Sequence, residues 1–174
     1  RENQRRVKAS KEVAYEMSKM IVHHFPDFYQ RLRQVMDPRH YGQYGIDEII
    51  FGGISMFLFK SGSRNAMDNL LEEKQFRKNF TRLFGLRLPK LDTVAGVLKA
   101  LDESALEDLK VHLVKVLLSK KVFDKWRYKG ALMVGVDGTG IATFDHPHCD
   151  HCLVKTSKNG KSVWFHNVLE AKLI

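Results

Sequence analysis

Two stretches of this sequence hold residues whose types and spacing could do chemistry. In Met133-Val134-Gly135-Val136-Asp137-Gly138-Thr139-Gly140 an apolar run delivers one carboxylate among small residues. A run of strand length ending in an acid can present that acid to a hard cation such as Mg²⁺, which takes oxygen ligands and keeps some waters. Two such ions ~4 Å apart can activate an attacking oxygen and stabilise a leaving one. One carboxylate is half a site at best, and an Asp closing a turn before Gly is the plainer reading. The second stretch is Cys149-Asp150-His151-Cys152, with His146 and His148 before it and His166 after it. Two thiolates at this spacing with imidazoles nearby suit tetrahedral Zn²⁺, with Cys149, Cys152, His151 and His166 as the expected ligands. The alternative is a loop whose thiols are packed or free.

A third feature is cationic. Lys74, Arg77, Lys78, Arg82, Arg87 and Lys90 fall in a stretch without an acid, interleaved with Phe76, Phe80 and Phe84. A second run includes Lys115, Lys120, Lys121, Lys125, Arg127 and Lys129. Cations on one helix face neutralise phosphates and release counterions, which makes Lys74, Arg77, Lys78, Arg82, Arg87, Lys90, Lys120 and Lys121 candidates for DNA contact. An ordinary solvated face is the competing reading. The phenylalanines recur at helical spacing and read as core.

The elements that must position these residues fall into two grammars. Up to about residue 125 the pattern is helical. Glu12 to Phe25 carries Val13, Met17, Met20, Ile21 and His24 at helical spacing, and the more basic Arg1 to Lys11 is expected to fray or lie on an anion. Pro26 opens a second helix that stops near Asp37-Pro38. Ile46 to Phe59 is nearly all apolar and must be central. Gly52 and Gly53 inside it cost about 1 kcal/mol each relative to Ala, which close helix packing must offset. Ser63 is placed to cap the next helix, and Ser104 with Glu107 has the spacing of a capping box. From Lys129 the pattern turns to strands: Ala131 to Val136, a hairpin of Leu153–Ser157 and Ser162–His166 around Asn159-Gly160, and Val168 to Ile174 as the third strand of a meander.

Composition narrows the classes. The chain has 174 residues, 44% hydrophobic, with a formal charge of +9 and a pI of about 9.6. That suits one domain or slightly more, with a polyanionic partner. The longest apolar run contains Asp47 and Glu48 and is too short to span a bilayer, so no membrane role is expected. Two cysteines two residues apart make no disulfide framework, which points to a reducing interior.

Together these segments resemble a known family. Val134 to Thr139, then Cys149-Asp150-His151-Cys152-Leu153-Val154-Lys155-Thr156, then Trp164 to Leu173, look like the bacterial insertion-sequence DDE transposases. The group most similar has a ribonuclease-H-like catalytic core preceded by an all-helical domain. Asp37-Pro38-Arg39 and the stretch from Leu88-Pro89 to Leu101 also resemble it. The resemblance implies an α+β fold, with a helical DNA-binding domain at 1–125 and the first three strands of a ribonuclease-H-like domain at 126–174. It implies Mg²⁺ or Mn²⁺ as cofactor, double-stranded transposon-end DNA as partner, a homodimer, and the bacterial cytoplasm with its nucleoid. Asp137 matches the family's first catalytic acid. The family's second Asp and its Glu have no counterpart here, and Glu170 reads as a framing residue. The chain thus looks like an N-terminal fragment, inactive in cleavage alone. Two rivals are a DNA-binding regulatory fragment that inhibits a full-length transposase, and a zinc-stabilised interaction module.

Overall fold

The computed structural model describes the backbone of residues 2–173 and the side chains of 13–140 and 142–172. The chain divides into two compact units, Arg1–Lys120 and Lys121–Ile174. It is mixed helix and antiparallel sheet, an α+β chain.

Among the described residues seven α-helices make the first unit: α1 Glu2–His24, α2 Phe28–Gln34, α3 Ile46–Leu58, α4 Arg64–Glu72, α5 Lys74–Phe84, α6 Leu91–Leu98 and α7 Glu103–Ser119. The backbone of Glu2 to Lys11, the basic start expected to fray or lie on an anion, is helical and continuous with the rest of α1; its side chains lie outside the described residues. Helix α3 is the hub. Phe51 is wholly buried, and its ring lies 4.9 Å from Phe84, 5.8 Å from Tyr29 and 5.9 Å from Phe80, centroid to centroid. Gly52 and Gly53 face α6: a Cβ on Gly52 would meet Val94 at 3.0 Å, and one on Gly53 would meet Leu98 at 3.1 Å. The close approach expected from the two glycines is therefore real, and dispersion between the helices offsets their weak helix propensity.

Helix ends follow local chemistry. Ser63 accepts from the Ala66 N–H at 3.1 Å and caps α4, and Gly85 ends α5 in the left-handed region with φ 70°. At α7 the cap is not Ser104 but Asp102, whose carboxylate accepts the Ser104 N–H at 3.0 Å. A carboxylate two residues earlier also meets the positive helix end more favourably than a hydroxyl.

The second unit is a three-stranded antiparallel sheet, ordered β1-β3-β2, from β1 Val134–Phe144, β2 Leu153–Thr156 and β3 Ser162–Leu173. The expected meander is corrected here. Ser162–His166 and Val168 onward form one long strand, β3, which sits in the centre. It pairs with β2 through the Asn159-Gly160 turn, where Gly160 has φ 77°, and along its length with β1. A register shift between Gly140 and Ala142 lets the two long strands stay paired past the bend. No described residue of this unit is buried.

Candidate metal centre and cationic helix face

The sheet brings the thiol loop back onto its central strand. Between β1 and β2, the Cys152 N–H donates to the Cys149 carbonyl at 3.2 Å, closing a tight turn. The Cys152 Sγ in turn accepts the N–H groups of His148 at 3.2 Å and Cys149 at 3.4 Å. Burial pushes that thiol up, but these two N–H donors and the Cys149 side chain outweigh it, so the Cys152 thiol sits below its ordinary range. His166 reaches in from β3. Its Nε2 lies 3.5 Å from Cys149 Sγ and 3.3 Å from Cys152 Sγ. His148, Cys149 and His166 have ligand atoms all within 4.8 Å of one another.

These spacings have a chemical meaning. With Zn–S near 2.3 Å and Zn–N near 2.0 Å, a tetrahedral ion would hold its sulfur and nitrogen ligands about 3.5 Å apart. Two thiols and two imidazoles are also the donor set that favours a tetrahedral, borderline-soft ion over Mg²⁺. The loop histidine that converges is His148, not the expected His151. Asp150 and His151 occupy the corner of the Cys149–Cys152 turn, and His151 is not among the residues whose ligand atoms gather. The signal for His148 lies one element away. Phe144 at the end of β1 stacks on the His148 ring at 4.6 Å and 17° and meets His166 edge-on at 5.8 Å. One aromatic thus orients both imidazoles.

Asp137 lies on β1, exposed, with Glu170 of β3 directly opposite. Glu170 is held by Lys172 at 3.0 Å, which offsets part of the repulsion between facing carboxylates. Among the described residues the His148–Cys149–His166 group is the one place where three such ligands gather, and Asp137 stands outside it.

The predicted cations separate into two kinds. On α5, Phe80 and Phe84 are buried and Phe76 is half-buried, so helical periodicity turns Lys74, Arg77, Lys78 and Arg82 together to the outside. None of the four forms an ion pair among the described residues. Arg87 has a partner within the fold. Its guanidinium grips Glu48, Nε to Oε1 at 2.9 Å and Nη2 to Oε2 at 2.8 Å, while Nη2 also reaches the Gln43 carbonyl and the group lies 4.8 Å from the Tyr44 ring centre. Glu48, 8% exposed, would otherwise be a buried unpaired charge, so Arg87 has a structural task. Lys120 likewise donates to the His23 and His24 carbonyls at 3.2 and 2.8 Å, closing the C-terminal end of α1. Lys90 lies 3.9 Å from Glu72, and Lys121 is exposed with φ 56°.

Comparison with family models, curated proteins and solved structures returns no match. Among the described residues no helix is long and apolar enough to cross a membrane.

Proposed function

We propose that this chain handles DNA in transposition, with the cationic face of α5 holding duplex phosphates. The observation that carries this reading is that Lys74, Arg77, Lys78 and Arg82 lie on one exposed helix face with no acid on that helix. An ordinary solvated helix mixes both signs, because opposite charges at i,i+4 stabilise it. In this reading the sheet is the opening of a ribonuclease-H-like domain, the protein acts as a bacterial cytoplasmic homodimer on transposon ends, and Asp137 supplies one ligand for Mg²⁺ or Mn²⁺. The exposed, strand-borne carboxylate of Asp137 is compatible with that role. A gel shift of duplex DNA tests the α5 face. Binding should weaken steeply with salt and collapse when the four α5 cations become Gln; binding indifferent to those substitutions refutes the reading. In a protein that carries this chain with the two further acids, Asp137→Asn should abolish strand transfer. Salt-dependent binding without such a requirement for Asp137 favours the regulatory reading instead.

The ligand cluster favours a second component. Zinc is the metal proposed for it, held by Cys149, Cys152, His148 and His166, with a structural role. His148, Cys149 and His166 gather within 4.8 Å, Cys152 Sγ lies 3.3 Å from His166 Nε2 as the fourth donor, and four protein ligands would leave no open coordination site for catalysis. One zinc per chain by mass spectrometry under native conditions is expected, and a chain that purifies metal-free and binds no added zinc refutes it.

A further inference from the structure

We infer that the segment from Phe123 to Ala131 is a stacking platform for an unpaired nucleic-acid base. Tyr128 and Ala131 exchange both backbone hydrogen bonds, each 3.0 Å, around Lys129 and Gly130. Those two residues have φ 48° and 82°, the pair of left-handed conformations that defines a tight two-residue hairpin turn. Arg127 braces the turn from inside, donating from Nε to Asp124 at 2.8 Å and from Nη1 to the Gly130 carbonyl at 3.0 Å. The turn carries two large aromatics that are more than half exposed, Trp126 at 53% and Tyr128 at 60%. Each has a lysine ammonium over its ring, Lys125 at 4.0 Å from the Trp126 centre and Lys129 at 5.4 Å from that of Tyr128.

Charge selects the occupant. The only acid in the segment, Asp124, is already paired with Arg127, so Lys125 and Lys129 give the surface net positive charge. Flat rings flanked by cations fit a base on the ring and its phosphates on the ammonium groups. When a base arrives, the lysines exchange a cation–π contact for a phosphate, which costs little at an exposed site. A duplex hides the faces of its bases, so the platform can take only a frayed end, a flipped base or a single strand. This deepens the DNA-binding reading and rests on it only for the ligand class.

The test uses the full chain with Trp164→Phe, so that Trp126 is the sole tryptophan. A single-stranded oligothymidylate should quench its fluorescence saturably, and the same length of blunt duplex should quench far less. Trp126→Ala and Tyr128→Ala should each weaken single-strand affinity roughly ten- to hundredfold, with Trp126→Phe keeping most of it and circular dichroism unchanged. The α5 substitutions should weaken duplex binding while sparing the quenching, so the two readings fail separately. Equal quenching by duplex and single strand, or full affinity in both alanine variants, overturns the platform.

Discussion

The two units solve the problem of holding a chain together in different ways. The helical unit buries a continuous apolar cluster running from Ala14 to Leu101, with Leu32, Ile49, Phe51 and Met67 at zero exposure. The sheet unit buries no described residue, and Val134, Val136, Val154 and Leu169 are all more than half exposed. Backbone pairing alone rarely holds a small sheet in water. What the sheet unit has instead is a convergence of thiols and imidazoles that ties the β1–β2 connection to β3. The lesson is that transferred apolar area holds the helical unit, while the sheet unit lacks it and the proposed zinc would supply the missing tie, so perturbations should separate the two.

Removing the proposed zinc should have the largest effect. Chelation, or Cys149→Ser with Cys152→Ser, should cost the sheet unit on the order of 10 kcal/mol of metal-coupled stability. Amide hydrogen exchange would show it as loss of protection along β3 with α3 untouched; equal loss in both units would break the comparison. His148→Ala should weaken zinc binding and His151→Ala should leave it intact, which tests the ligand that the loop geometry selects.

Phe51→Ala should do the converse. It opens a cavity among Phe28, Tyr29, Phe80 and Phe84 and should cost about 3–5 kcal/mol in the helical unit, leaving zinc content unchanged. Glu48→Gln is milder, about 1–2 kcal/mol, because Arg87 is well exposed and water replaces part of the pair. The same group gives the helical unit an acid limit. Burial alone would raise the Glu48 carboxyl, but the Arg87 side chain and the N–H groups of Arg87 and Gly45 outweigh it and hold it below the ordinary glutamate range. A depressed carboxyl contributes fully above its unfolded value and loses that contribution as pH falls through its folded value. Thermal melts should therefore show the helical unit weakening below about pH 4, and Glu48→Gln should flatten that dependence. Last, changing Lys74, Arg77, Lys78 and Arg82 to Gln should leave the melt nearly unchanged while lowering the salt slope of duplex binding by about three to four.

Much of the helical unit can be read directly. The apolar run of α3, the paired glycines, the Ser63 cap and the phenylalanine spacing of α5 each state a local rule, and the fold obeys it. The sheet is less legible. Ser162–His166 and the segment after it read as two strands, because Asn167 interrupts the apolar pattern. In the fold Asn167 pairs with Gly140 beside the register shift, and the strand runs on.

The candidate sites divide along the same line. The sequence by itself determined the helical and the strand-rich segments, the α5 cation stripe and the donor types of Cys149, Cys152 and His166, because these follow from residue type and local periodicity. Only the tertiary structure decided that His148 gathers with Cys149 and His166, that Arg87 pairs with Glu48, and that Glu170 faces Asp137. Each of those depends on which side chains from distant positions meet, and a pairing energy between residues far apart in sequence leaves no periodic trace along the chain.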